Sequence, residues 1–266
     1  MAEMESSLPS GGLPLVDAHA HLCAEPFAHD LVAVLARARA RGVLAVLAVT
    51  ETLVDAEETL ALARRHPLIR PCAGLHPTVV DRQEAAEMVA FIRAHADELV
   101  AVGEVGLDRW VIQDEAQRAV QREILARQIA LARELDLPLN VHSRSAGRHT
   151  IAFLREQGAR RVLLHAFDGK ASAALPALEA GYFFSIPPSI VRSPQKQKLA
   201  RQVPLERLLL ESDAPVLGPS REERNEPANI LLACEAIAAI KGVPAEDVAC
   251  ITTQNARRLF PGALPP

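Results

Sequence analysis

The chain has 266 residues, 49% of them apolar, and a formal net charge of −4. That length suits one large α/β domain, and the apolar content supports a sizeable core, which excludes wholesale disorder. The slight acidity argues against a protein that coats nucleic acid by bulk electrostatics, and seven Phe, one Tyr and one Trp are too few for an extended base-stacking platform.

Residues 1–12, MAEMESSLPSGG, carry acids and no apolar stretch, so they read as a flexible tail rather than a secretion signal. Short apolar runs then alternate with longer amphipathic stretches. In chain order the pattern predicts a strand at 14–18, helix 29–41, strand 43–49, helix 55–65, strand 69–74, helix 83–96, strand 99–103 and helix 115–136. It continues with strand 138–141, helix 147–157, strand 161–165, helix 171–180, strand 182–186, helix 194–202, strand 206–211, and helices 227–240 and 245–258. The strands are rich in Val and Leu and nearly continuous in apolarity, as strands covered on both faces are. Eight strands each followed by a helix predict a single α/β domain over 13–262, a closed (β/α)₈ TIM-type barrel. A doubly wound open sheet is the alternative, but no glycine-rich turn follows the first strand.

Cys23, Cys72, Cys234 and Cys250 lie far apart with no CxxC pair, which fits reduced thiols in an intracellular protein, cytoplasmic or nuclear. No apolar run approaches the ~18 residues of a spanning helix, so no membrane is expected. A monomer is the default expectation.

The position of the metal-capable side chains is more informative. His19 and His21 follow the first predicted strand in DAHAHL, and two residues apart on extended chain they project to one face. His76 closes the third strand in GLHP, Glu104 the fourth in GEVGLD, His142 the fifth in NVHSR and His165 the sixth in LLHAFDG; Asp213 follows the eighth in ESDAP. All fall at C-terminal strand ends, where barrel enzymes keep their chemistry. With His76 set aside, four imidazoles and two carboxylates exceed what one zinc takes. They suit two divalent cations sharing a bridging carboxylate and hydroxide, a pair that stabilises both the attacking and the leaving oxygen of a displacement at phosphorus. Imidazole-rich ligation favours Zn²⁺ or Mn²⁺ over Mg²⁺. His29, His66, His95 and His149 fall in or beside helices and carry no assignment.

The ordered series DAHAHL, GLHP, GEVGLD, NVHSR, LLHAFDG, ESDAP and RNEP resembles the TatD family of metal-dependent deoxyribonucleases over residues 15–260. Within that family SIPPSI, QKQKL, RNEP and TTQNA resemble the TatD domain-containing protein 3 branch. The resemblance implies a barrel, a two-metal site, and hydrolysis of DNA: 3′-exonuclease action on single strands, with incision at abasic (AP) sites. It implies His19, His21, Glu104 and Asp213 as ligands of one metal, and Glu104, His142 and His165 as ligands of the other, with Glu104 bridging. Many relatives follow the GLD motif with an aromatic residue; here Arg109 follows Asp108 and Trp110 comes one later.

A metal-activated water is the expected nucleophile, and Asp213, with Glu104 the expected catalytic pair, is the candidate to take its proton. Asp17 is a candidate to orient a ligand imidazole. His76 and Arg144 are candidate substrate contacts on the rim, and Trp110 could stack a terminal base. Between strands seven and eight Arg192, Lys196, Lys198 and Arg201 occur without an acid, which suits a phosphate grip and equally suits a solvated helix face. Asn225 in RNEP is a candidate substrate contact, with helix initiation at Pro227 as the plain alternative. Tyr182, Phe183 and Phe184 read as core. The rival chemistry is hydrolysis of amides, lactones or aminoacyl esters, because similar barrels direct water at carbon with similar constellations.

Overall fold

The computed structural model describes residues 12–264, so the expected tail lies outside it except for residue 12. Eight parallel strands run in the order β1 (Leu15–Ala20), β2 (Val43–Ala48), β3 (Ile69–Ala73), β4 (Ala101–Gly106), β5 (Leu139–His142), β6 (Val162–Leu164), β7 (Phe183–Ile186) and β8 (Leu208–Leu210). Each pairs with the next, and the pairing of Asp17 with Leu210 joins β1 to β8 and closes the barrel. Closure excludes the open-sheet alternative. The helices are α1 (Leu31–Ala40), α2 (Leu53–Arg65), α3 (Arg82–Ala94), α4 (Glu115–Glu134), α5 (Gly147–Glu156), α6 (Leu175–Glu179), α7 (Pro194–Gln202), α8 (Ile230–Lys241) and α9 (Ala245–Leu259). No single helix among the described residues is long and apolar enough to cross a membrane.

Two apolar layers hold the barrel. The larger lies between strands and helices and includes Leu15, Val46, Ile69, Met88, Val105, Ile129, Leu154, Phe184 and Ile237. The smaller fills the barrel interior with Val16, Ala18, Leu47, Cys72, Leu163, Phe183 and Leu209, and is continued by Leu259, Phe260 and Leu264 at and after the end of α9. The Thr253 hydroxyl of α9 donates to the Pro14 carbonyl just before β1 (2.8 Å), so this last helix seals the N-terminal mouth. The opposite mouth is left for chemistry. Tyr182, Phe183 and Phe184 are all buried, as expected of core.

Three of the shifts from the expected boundaries bear on the site or its frame. β1 runs on to Ala20, so His19 lies within the strand rather than after it, and the register against β2 slips twice along its length. β4 starts two residues late and runs to Gly106, so Glu104 sits inside the strand. The expected helix at 171–180 divides into a 3₁₀ turn, Ala171–Ala174, and the short α6, because Pro176 removes a donor at the junction. Gly106 has φ of 150°, and a Cβ there would overlap the His142 carbonyl oxygen. Only glycine lets β4 lie this close to β5 beside the residues that matter.

Candidate active site

Seven side chains from six strand ends converge in the open mouth. His19 and Glu104 are buried, with relative exposures of 0% and 1%, while His21, His76 and His142 are partly open to a cavity of about 690 Å³. The first grouping is formed by the Nε2 atoms of His19 and His21, Glu104 Oε2 and Asp213 Oδ1. The two nitrogens are 3.3 Å apart. Glu104 Oε2 is 3.5 Å from His19 and 3.4 Å from His21, and Asp213 Oδ1 is 3.6 Å from each. Four donors around one ion with ~2.1 Å bonds at tetrahedral angles stand ~3.4 Å from one another. The spacing therefore fits a divalent cation.

The second grouping uses the other oxygen of the same carboxylate. Glu104 Oε1 is 2.6 Å from His165 Nε2, 2.7 Å from His142 Nδ1 and 3.7 Å from His76 Nε2. Glu104 thus divides its two oxygens between two imidazole clusters. Its backbone is anchored beside them, since the Glu104 N–H donates to the Thr50 carbonyl (3.1 Å) and the Thr50 hydroxyl donates to the Gly74 carbonyl (3.0 Å).

The far nitrogens of the imidazoles matter as much as the near ones. His19 Nδ1 lies 2.9 Å from Asn140 Oδ1, and Asn140 Nδ2 donates back to the Ala18 carbonyl (2.8 Å). That fixes Asn140 Oδ1 as the acceptor, so that in the neutral ring it is His19 Nε2 that carries the lone pair. His142 Nε2 lies 3.0 Å from Asp108 Oδ2, while Asp108 Oδ1 accepts the N–H groups of Trp110 and Val111 at 2.7 Å each. One carboxylate therefore ties a candidate ligand to the exposed lip of the pocket. The buried amides of α4 brace the neighbouring loops, with Gln128 Oε1 accepting from Leu75 N (2.9 Å) and Gln121 donating to Pro77 O (2.7 Å).

The electrostatics suit positive charge. Burial alone would raise the Glu104 carboxyl, yet His165, His76, His19 and the hydrogen bond to His142 hold it well below the usual range. Burial disfavours a charged His19, but Glu104, Asp213 and Glu211 outweigh it and carry its pKa up to about 10. His142 rises to about 9 against the same burial, through Asp108 and Glu104. At His165 and His76 burial wins instead, carrying His165 down to about 4 and His76 below its ordinary value, so those two rings stay neutral donors beside the carboxylates.

The remaining expected residues are placed less uniformly. Arg144 is exposed on the pocket rim, its guanidinium 5.3 Å from the centre of the Trp110 ring, and Trp110 is 61% exposed. His76 lines the pocket, with Nδ1 2.6 Å from the Thr78 hydroxyl. Arg192 is exposed but donates to the Gly218 carbonyl (3.2 Å) and does not line the pocket. Asn225 is 1% exposed and spends its amide on the Ser212 and Val216 carbonyls (2.6 and 2.8 Å) and its oxygen on Asn229 (2.9 Å). It braces the loop that carries Asp213 instead of reaching substrate. Asp17 also departs from expectation: it accepts the backbone N–H groups of Ser212 (2.8 Å) and His19 (3.3 Å), and Asn140 takes the imidazole.

Lys196 is not on a solvated helix face; it lines the cavity from a buried position. It is 6% exposed, and its Nζ donates to the carbonyls of Ala166 and Phe167, locking the loop after β6. Lys196→Met leaves the Ala166 carbonyl without a donor, the Phe167 carbonyl keeping that of Gln195 (3.0 Å), and should lower stability in urea by ~1–3 kcal/mol, while Lys198→Ala, at an exposed position, leaves the midpoint unchanged. A wild-type midpoint for Lys196→Met would show that the ammonium carries no structural load. Two buried residues escape the sequence reading altogether, Asn140 and Glu211. The signal for each is a polar residue within or directly after an apolar strand run.

A family model described as TatD related DNase matches residues 16–261. Human deoxyribonuclease TATDN3 is 48% identical over 265 residues, spanning 95% of this chain and 96% of its own length. The metal-dependent hydrolase YabD of Bacillus subtilis is 35% identical over 257 residues, spanning 92% of this chain and 98% of its own. The crystal structure of the TatD homologue YjjV from Escherichia coli superposes with a TM-score of 0.86 at 27% identity, covering 93% of this chain and 98% of that one. Motif order, closed barrel and converging donors agree with these matches, and the chain belongs to the TatD-related DNase family of metal-dependent hydrolases.

Proposed function

We propose that the chain hydrolyses DNA phosphodiester bonds with two divalent ions, Zn²⁺, Mn²⁺ or Mg²⁺, removing nucleotides from the 3′ end of single strands and incising beside abasic sites. The observation that carries this reading is Glu104, whose two oxygens serve two separate imidazole clusters. His19, His21, Glu104 and Asp213 would hold one ion, and Glu104, His142 and His165 the other. When bound, such a pair activates water and neutralises charge on the attacking and leaving oxygens.

The side chains of the protein do the rest. Asp213 lines the pocket and accepts the proton of the attacking water. Arg144 on the rim binds phosphate, Trp110 stacks a base, and His76 Nε2 faces the reacting phosphate. Depth favours a strand end: the donors lie at the bottom of the cavity, which a frayed 3′ terminus or an unstacked abasic nucleotide reaches more cheaply than a base inside a duplex.

The test is metal-dependent cleavage of 3′-labelled and 5′-labelled single-stranded DNA and of a duplex with one abasic site, using chelator-stripped protein resupplied with each ion. Glu104→Ala serves as the contamination control. Mononucleotide release that disappears in the variant supports the reading. No cleavage by protein loaded with two ions would turn it to amide, lactone or aminoacyl ester substrates. Trp110→Ala should raise KM for oligonucleotides by the equivalent of ~1–3 kcal/mol, and Arg144→Ala should flatten the log–log salt dependence of KM by about 0.7. Unchanged values would remove the lip from the substrate path.

A further inference from the structure

Five imidazoles face Glu104 with one nitrogen, and each needs a partner for the other: Glu51 lies 3.6 Å from His21 Nδ1 and the Thr78 hydroxyl 2.6 Å from His76 Nδ1. For His19 that partner is Asn140 at 2.9 Å, and for His142 it is Asp108 at 3.0 Å. His165 differs. Its Nε2 points at Glu104, and its buried Nδ1 has no hydrogen-bond partner. The neighbouring acceptor is Glu211 Oε2, 3.8 Å away. Glu211 is 0% exposed and firmly held, Oε1 accepting the Ala166 N–H (2.8 Å) and Oε2 the Ser185 hydroxyl (2.5 Å). The Ala166 carbonyl is in turn gripped by Lys196, and the His165 ring is stacked on His19 with centroids 3.7 Å apart and planes 7° from parallel.

We propose that Glu211 is the positioning residue for His165, accepting the Nδ1 proton so that Nε2 is presented as a lone pair to the second ion. This rests on the two-ion reading given above. The spacing supplies the reason the contact is open here. His165 Nε2 stands 2.6 Å from Glu104 Oε1, a hydrogen-bond length. Two donors sharing one ion at ~2.1 Å stand ~3.0–3.4 Å apart, depending on the angle. His165 therefore moves away from Glu104 when both serve an ion. The two ring nitrogens lie on roughly opposite sides of the imidazole, so the same displacement carries Nδ1 toward Glu211 and shortens the 3.8 Å gap toward hydrogen-bond length. Glu211, anchored to Ser185 and Ala166, does not retreat. The site thus carries a hydrogen bond that forms as the second ion enters, and it makes His165 a better ligand in the way carboxylate–imidazole pairs do.

The test is titration of chelator-stripped protein with Mn²⁺ and with Zn²⁺, followed by calorimetry and chelator competition, on wild type, Glu211→Gln and Ser185→Ala. Glu211→Gln keeps the volume and one acceptor oxygen but loses the charge, and Ser185→Ala loosens the carboxylate without touching it. Glu211→Gln should weaken one of the two binding events by ~10–100-fold and leave the other within error, with Ser185→Ala intermediate. In ion-loaded wild type, ¹⁵N ring correlations should place the His165 proton on Nδ1, and Glu211→Gln should shift that signal. Wild-type affinities for both ions in Glu211→Gln, or a His165 proton on Nε2, would overturn the assignment. A wild-type protein that binds only one ion would overturn the two-ion reading instead. The role of Glu211 would then stand only if Glu211→Gln weakened that single event. Because the readout is ion binding, failure of DNA cleavage leaves the outcome legible.

Discussion

Glu104→Ala should abolish ion binding at both clusters and cut turnover by at least ~10⁴-fold, since two ions each contributing several kcal/mol to the transition state are lost together. The expectation follows from the division of one carboxylate between His19, His21 and Asp213 on one side and His142 and His165 on the other. Glu104→Gln separates the two contributions, because an amide keeps one acceptor oxygen and replaces the other with a donor. It should retain one ion and lose the second, with activity still reduced by ~10²–10³-fold. Stability should change little, because the barrel rests on two apolar layers that do not include Glu104. Calorimetric ion counts, circular dichroism and single-turnover cleavage would check all three statements. Two ions bound by Glu104→Ala with near-normal turnover would overturn the bridging role.

Much of this arrangement is legible in the sequence, and the reason is geometric. In a parallel barrel every strand ends on the same face, so metal-capable residues at successive strand ends must share one mouth. His19, His21, His76, Glu104, His142, His165 and Asp213 all do. What the pattern cannot convey is which way a polar residue turns. Asn140 lies inside an apolar strand, and its pairing with His19 joins β5 to β1, strands that are not neighbours in the barrel. Strand periodicity alone places Asp17 on the face of His19 and so points to it, rather than Asn140, as the partner of that imidazole. Barrel closure pairs Asp17 with Leu210 and brings its carboxylate to the backbone N–H of Ser212, with that of His19 beside it.

Lys196 and Glu211 illustrate a different blind spot, buried charge. Lys196 falls in a run that reads as basic, yet Leu199, Ala200 and Val203 follow at i+3, i+4 and i+7, the spacing of a core-facing stripe. Helical periodicity places the ammonium inside, and only the carbonyls of Ala166 and Phe167 explain how it is tolerated there. Glu211 ends a run of three leucines at the close of a buried strand, where an unpaired carboxylate would be costly. Both residues converge on Ala166, directly after His165. Lys196, which reads in the sequence as free for solvent or phosphate, is spent instead on the loop beside a candidate ligand.

In the proposed reaction Asp213 is where ligation and proton transfer would meet, and replacing it tests both. Its N–H donates to the His19 carbonyl (2.9 Å), its φ is 52°, and the loop beyond it is pinned by Asn225, so the carboxylate is aimed by backbone as much as by its neighbours. A left-handed φ is tolerated by aspartate and asparagine better than by most residues. Asp213→Asn is accordingly the sound probe, since alanine would add backbone cost to the loss of function. Burial pushes the Asp213 carboxyl up, but the imidazoles of His21, His165 and His19 hold it below the ordinary value. It is therefore ionised at neutral pH, the form that can both hold a cation and take a proton. In Asp213→Asn the amide oxygen still approaches the His19 and His21 cluster, whereas nothing remains to take the proton of the attacking water. The expected result is a kcat lower by ~10²–10⁴-fold, the usual contribution of a positioned general base, with KM for single-stranded DNA changed by less than about threefold. Ion stoichiometry should be preserved at raised ion concentration. Activity restored in full by excess ion would make Asp213 a ligand only, and the base would then have to be sought elsewhere on the rim. Turnover that stays low with both ions bound assigns Asp213 the proton as well as the metal.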